Sequence, residues 1–279
     1  MGNIVWLASY PKSGNTWVRS FLYNLIKRPA QPGKINDLWS MFQDESQPKW
    51  FYPYLEGKSI EELPIEKISP LRWQIQRDIA ESEDGSVFVK THNMMAEHNG
   101  YPLINLSVTA GAIYIVRNPL DMVISLADHF DLSIDEAIDF ISNDFTGSMT
   151  DEMTVARVIG SWSNHVKGWT QTAHDRYLVL RYEDLLTHPD KSFASIMKFL
   201  GMKKDMKELK RARLFSSFQE LQKQEQKNEF NEKSPKSQRF FRIGKKDQWK
   251  KLLTPSQIQK IIDTQGEQME RFKYIPKSF

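Results

Sequence analysis

The chain has 279 residues, of which 40% are hydrophobic and 26% charged, a composition that can bury a sizeable core and excludes wholesale disorder. It contains no cysteine, which removes disulfides, thiolate catalysis, Cys-ligated zinc and iron–sulfur clusters and fits a reducing, cytoplasmic location. The net charge of +3 is too mild to indicate nucleic acid, and no apolar run approaches the ~20 residues of a membrane helix, so neither nucleic acid nor membrane is expected as a partner.

In chain order, residues 3–9 form a short apolar run rich in strand formers, followed by the turn-rich segment Tyr10-Pro-Lys-Ser-Gly-Asn-Thr16. Trp17, Val18, Phe21, Leu22, Leu25 and Ile26 then recur at helical spacing, which makes the chain open as strand, loop, helix. Residues 31–70 carry many Pro, Trp and Tyr side chains with little periodicity, and read as an insertion packed over a sheet. Residues 86–91, 111–116 and 177–182 read as three further strands. Pro119 opens a helix after the third strand. The apolar stripe Val155, Val158, Ile159, Trp162, Val166 and Trp169 predicts a helix, and a second runs over 189–200 with Gly201 ending it. Residues 224–248 are polar and Lys-rich and read as a long covering loop. Near-continuous apolar strands alternating with helices predict an α/β fold: a three-layer α/β/α sandwich on a central, mainly parallel sheet, in one domain over residues 1–279.

Ligands of such folds bind at the carboxyl ends of the strands, where the 11–16 loop falls. That loop resembles a P-loop but departs from G-x-x-x-x-G-K-[ST]: Ser9 stands for the first glycine and Asn15 for the lysine. Lys12 sits earlier, within the turn. Backbone N–H groups around Gly14 and the helix N-terminus still form an anion cradle, while the mobile cation has moved toward the bridging oxygen of a shorter anhydride.

Six segments spread over residues 10–249 together resemble the sulfotransferases that use PAPS (3′-phosphoadenosine 5′-phosphosulfate). Tyr10-Pro-Lys-Ser-Gly-Asn-Thr-Trp17 is similar to their 5′-phosphosulfate loop. Tyr114-Ile-Val-Arg-Asn-Pro-Leu-Asp121, with Ser125, is similar to their 3′-phosphate motif, and Arg242-Ile-Gly244 followed by Asp247-Gln-Trp249 to their C-terminal element. Lys90-Thr-His92, Arg181-Tyr-Glu-Asp184 and Ser217-Phe-Gln-Glu220 complete the set. Extended through Val18 and Arg19, the first segment also resembles bacterial enzymes that sulfate glycopeptide antibiotics.

The resemblance implies an enzyme that moves a sulfuryl group from PAPS to a hydroxyl of a small-molecule, phenolic or (glyco)peptide acceptor and releases PAP, with no metal required. His92 becomes the general base, and Lys12 and Lys90 the catalytic cations; a histidine at a strand end is otherwise a backbone cap. Lys12, Ser13, Gly14, Asn15, Thr16 and Trp17 would hold the phosphosulfate end. Arg117, Ser125, Arg242, Ile243 and Gly244 would hold the 3′-phosphate, Arg117 being otherwise an ion-pair partner of Asp121. Ile243 replaces the family's lysine, a loss Lys245 or Lys246 would have to make good. Trp17 and Phe218 would sandwich the adenine with Ser217 beside them and Tyr182 on its edge; both rings are otherwise core residues. The family's C-terminal dimer motif is incomplete: Lys250 and Thr254 fit it, Pro255 and Gln259 do not, which leaves the oligomeric state open. The stretches 39–54 and 93–105 are expected to line the acceptor pocket and their aromatics to favour an aryl acceptor. A P-loop kinase and a non-catalytic nucleotide-binding module are the competing readings.

Overall fold

The structure, a computed structural model, describes residues 3–172 and 174–277, with residue 65 as backbone only. The described residues form nine strands: β1 (Ile4–Ser9), β2 (Phe42–Asp44), β3 (Val87–Thr91), β4 (Glu97–His98), β5 (Tyr101–Pro102), β6 (Thr109–Val116), β7 (Gly147–Ser148), β8 (Arg157–Val158) and β9 (Tyr177–Arg181). The helices are α1 (Asn15–Lys27), α2 (Ile65–Glu81), α3 (Pro119–Phe130), α4 (Ile134–Ser142), α5 (Trp162–Thr170), α6 (Tyr182–Thr187), α7 (Pro189–Phe199), α8 (Met206–Phe215), α9 (Phe218–Lys227), α10 (Trp249–Leu252) and α11 (Pro255–Arg271). Among the described residues no helix is long and apolar enough to cross a membrane.

A five-stranded, wholly parallel sheet in the order β2-β3-β1-β6-β9 forms the middle layer. Alternate β1 side chains serve opposite faces, as the pleat requires. Ile4, Trp6 and Ala8 join one core with residues of α2, α3, α4, α5 and α11, while Leu7 joins the other with residues of α1, α7 and α8. The expected three-layer sandwich is therefore present, with every β1 residue buried. The chain passes from β1 to β3 on one side and on to β6 on the other. The β1 carboxyl end is thus the topological switch point, where open α/β sheets form their ligand crevice.

Two elements differ from the sequence reading. The 31–70 stretch does more than cover the sheet, since β2 pairs with β3 and becomes its edge. The helix expected across 155–169 begins only at Trp162: β8 pairs with β7, Gly160 turns the chain at φ 72°, and the Ser161 hydroxyl caps α5 by accepting the Asn164 N–H. An apolar stripe at helical spacing here spans a strand and a helix joined by a glycine that Met94 crowds too closely for a Cβ. The segment after α9 is irregular, as expected, but not merely polar. Phe230 and Phe241 pack with Leu221 and Ile35 into a small core of their own. At the other end, Thr254 and Pro255 start α11 through a capping box with Gln257, which gives the residues of the broken dimer motif a local purpose.

Candidate active site

The turn after β1 and the start of α1 are shaped by two left-handed residues, Lys12 (φ 64°) and Gly14 (φ 102°). A side chain at position 14 would be strained, and its Cβ would fall 2.8 Å from the Tyr182 ring. Asn15, at the place of a P-loop lysine, spends its amide internally: Nδ2 donates to the Leu7 carbonyl at 2.9 Å and approaches Ser9 Oγ at 3.4 Å. It pins the loop to its strand, while its Oδ1 is buried without a partner and the residue also lines the cavity around this turn. The α1 N-terminus has no capping side chain and no acidic residue in its first turn. Its first-turn N–H groups therefore keep no intrahelical acceptor and favour an anion. Ser13 Oγ, buried in the same turn, also lacks a partner.

Around this turn lies a cavity of about 860 Å³. Lys12 enters it with Nζ 3.9 Å from the centre of the Phe240 ring and 3.4 Å from His129 Nδ1. Burial and the nearby Arg117 charge lower its pKa to about 7. Arg117 comes from the end of β6; it donates to the Lys12 carbonyl at 2.8 Å, lies 4.5 Å above the Tyr182 ring, and its Nε has no partner. Asp121 is not its ion-pair partner. That carboxylate instead accepts the N–H groups of Asp247 (2.6 Å) and Trp249 (3.1 Å), tying α3 to the C-terminal segment.

Ser125, Trp17, Tyr182, Phe218, Arg242, Ile243 and Gly244 also line the cavity. Trp17 meets Tyr182 and Phe193 edge-on at 5.8 and 5.6 Å. Gly244, at φ 63°, lies so close to Phe218 that a Cβ would sit 2.5 Å from its ring. Arg242 donates to Gln248 Oε1 at 3.3 Å. Lys245 and Lys246 are exposed and do not line the cavity. Neither does Ser217, whose hydroxyl caps α9 by accepting the Glu220 N–H.

Lys90 and His92 stand at the end of β3. His92 Nδ1 lies 2.8 Å from the Ser9 carbonyl oxygen. A carbonyl only accepts, so Nδ1 carries the hydrogen and Nε2 keeps a lone pair. Burial, with the charges of Lys90 and Arg157, holds the ring pKa well below its usual 6.5. The ring is therefore neutral and basic at Nε2 near neutrality. Its backbone is clamped as well: the His92 carbonyl lies 3.3 Å from His165 Nε2 and the Asn93 carbonyl accepts the Trp169 indole N–H at 3.0 Å.

Lys90 sits between two carboxylates, Asp44 at 3.3 Å and Glu232 at 3.1 Å. Asp44, opposite Lys90 in the β2–β3 register, also takes Arg157 at 2.9 Å, and Glu232 takes Arg19 at 2.7 Å. Burial opposes the charge on Glu232, but Arg19 and Lys90 outweigh it and lower its pKa to about 2. Trp39 and Asp44 fall in the 39–54 stretch expected to line a pocket, and Arg19 beside the first motif without an assigned role; Glu232, Arg157 and His129 are the residues that sequence reasoning missed. Their partners lie far away along the chain, and none belongs to a local motif.

The acceptor-side expectation is half met. Trp39, Asp44 and Gln47 line the cavity, but no residue of 93–105 does. Asn93 is instead buried, with Oδ1 accepting the Val158 N–H at 2.7 Å. The β7–β8 hairpin takes its place through Ser148, Thr154 and Arg157. Of the rings in 39–54, Phe42 and Phe51 are fully buried and Trp39 alone reaches the cavity.

Fold and site together define an α/β protein that gathers cations and free backbone N–H groups for an anionic ligand at the switch point of its sheet. A family model described as sulfotransferase domain matches residues 3–273, and the chain belongs to that family. It is similar to sulfotransferase 2A2 of Rattus norvegicus, 27% identical over 222 residues covering 76% of this chain and 64% of the relative. The chain thus spans less than two thirds of that relative's length. A flavonol 3-sulfotransferase of Flaveria bidentis is 24% identical over 278 residues, covering 93% of this chain and 79% of the relative. Among solved structures, a retinol dehydratase in complex with androsterone and PAP shares the fold at TM-score 0.66 and 17% identity, over 99% of this chain and 83% of that one. A mouse sulfotransferase complexed with PAP does so at TM-score 0.61 and 22% identity, over 96% and 84%.

Proposed function

We propose that the protein transfers a sulfuryl group from PAPS to a hydroxyl of a small-molecule acceptor and releases PAP. One juxtaposition carries this reading: the cationic β1 turn, with Lys12 and Arg117, opens into the same cavity as His92, whose Nε2 is left free to accept a proton. The residues present fit the nucleotide. The uncapped α1 N-terminus and the unpartnered Nε of cavity-lining Arg117 are groups that an anion completes. PAPS supplies the activated sulfuryl group. The protein's part is position and charge, as in phosphoryl transfer: Lys12 faces the leaving phosphate oxygen, Arg117 and Ser125 take the 3′-phosphate, and His92 removes the acceptor proton as the new S–O bond forms. Trp17 and Phe218 offer faces to the adenine. In the absence of cysteine, a cytoplasmic setting suits the chain.

A kinase reading fits less well, because the residue that replaces the P-loop lysine has its amide committed to Leu7. Thermal-shift measurements separate the two: PAP is expected to raise Tm in the presence of a chelator, and ATP–Mg²⁺ to raise it little. Stabilisation by ATP–Mg²⁺ alone would overturn the proposal, as would failure of labelled PAPS to lose sulfate to any hydroxylic acceptor.

The lowered pKa of Lys12 yields a pH dependence with a definite sign. In the free chain Lys12 is largely neutral above pH 7, and a bound polyanion favours its ammonium form. Binding above pH 7 therefore takes up a proton, and PAP affinity is expected to fall as pH rises, by up to about tenfold per unit. Calorimetry at pH 8 in two buffers of different ionisation enthalpy measures the uptake. Lys12→Met should abolish it, and zero uptake in the unsubstituted protein would remove Lys12 from the anion site.

A further inference from the structure

The strand order divides the cavity. The β1 turn, the end of β6 and the start of α6 serve its nucleotide side, whereas beyond His92 the wall belongs to the β2 edge and the β7–β8 hairpin. This second wall presents the polar residues Asp44, Gln47, Ser148, Asp151, Thr154 and Arg157, with Trp39, Met153 and Ile159 as its apolar members. Three of these six polar residues hold a buried atom without a partner: Gln47 Oε1, Thr154 Oγ1 and Arg157 Nε. Buried polar atoms are otherwise almost always paired, and a cluster of unpaired ones at a cavity marks where a ligand completes them.

The chemistry of the three selects the ligand. Arg157 Nε–H donates, an amide oxygen accepts, and the Thr154 hydroxyl does either. A hydroxyl group can answer each of them, and answers the Gln47 amide in either orientation. A carboxylate only accepts and leaves Gln47 Oε1 unanswered, and an arene edge leaves all three unsatisfied. Resting on the sulfuryl-transfer reading above, we propose that the acceptor is a polyol, such as a sugar or cyclitol group, whose reacting hydroxyl faces His92 while its neighbouring hydroxyls bind Gln47, Thr154 and Arg157. Trp39 and Ile159 then cover its C–H faces.

The test uses the whole chain with labelled PAPS and acceptors matched in their apolar part: octyl β-glucoside against 1-octanol, with myo-inositol and 4-nitrophenol as the polyol and aryl extremes. The glucoside is expected to exceed 1-octanol in kcat/KM by at least about thirtyfold, because a site built to bond hydroxyls rejects the analogue that lacks them. Gln47→Leu and the near-isosteric Thr154→Val should each shrink that ratio, and together bring it within threefold. PAP affinity by calorimetry, measured for each variant, reports both folding and the underlying reading. If PAP binds and 4-nitrophenol or 1-octanol is used as well as the polyols, or no polyol is sulfated, the polyol assignment is overturned. The same holds if the preference survives Thr154→Val and Gln47→Leu. A chain that binds no PAP would overturn sulfuryl transfer itself, a distinct result.

Discussion

His92→Ala is expected to lower kcat by about 10²- to 10⁴-fold, the usual range for removing a positioned general base. The argument rests on the tautomer. The Ser9 carbonyl holds the Nδ1 hydrogen at 2.8 Å, so the ring turns a lone pair at Nε2 toward its proton source. Burial and the Lys90 and Arg157 charges keep the ring neutral. The acid limb of the kcat/KM profile should therefore lie below pH 6.5, and it should vanish in the variant. PAP affinity, read by calorimetry, separates loss of the base from collapse of the strand end, which Glu45 holds from behind through Thr91 and Asn93. A kcat within fivefold of the unsubstituted protein, or an acid limb above pH 7, would remove His92 from the proton transfer.

Arg117→Ala is expected to weaken PAP binding by about 10- to 150-fold, the equivalent of ~1.5–3 kcal/mol for a hydrogen bond to a charged group. The side chain does two things at once. Its NH1 fixes the Lys12 carbonyl, and with it the left-handed turn, while Nε has no partner within the protein. Arg117→Lys should recover only part of the loss, since an ammonium keeps the charge but lacks the planar fork. The Tyr182 ring beneath it loses a cation partner in the alanine variant only. Affinity within twofold of the unsubstituted protein would show that the 3′-phosphate is held elsewhere.

The parts of the molecule that were readable in the sequence share one property: their chemistry is local. Strand, turn and helix over residues 4–27 announce themselves through apolar runs, Pro, Gly and a helical stripe, and Lys12, Gly14 and Trp17 could be placed from those alone. His92 and Lys90 came from the resemblance of Lys90-Thr-His92 to a family motif, since a strand-end position alone would have made the histidine a backbone cap. By contrast, β2 is three residues long, too short for a period-two pattern, so Asp44 was expected only within the 39–54 pocket lining and not as the partner that faces Lys90 across the ladder. Glu232 reaches Lys90 from 142 residues away, and no local rule connects them. The stripe over 155–169 matched helical spacing on both sides of Gly160, and only the glycine and the capping serine betrayed the break. Ser217 shows the opposite failure, where a residue of a family-like segment spends its hydroxyl on starting a helix.

The carboxylate of Glu232 belongs to the irregular segment between α9 and α10, yet its charge is shared by a helix and a strand of the main body, through Arg19 and Lys90. A roof tied down by its own acid has a particular property. Lifting it strips a positive centre of one of its two counter-charges, and an arriving sulfonate or phosphate meets an ammonium already matched to an anion. At Lys90 an incoming anion would therefore exchange for Glu232, whereas Arg117, which has no carboxylate partner among the described residues, would meet its anion directly.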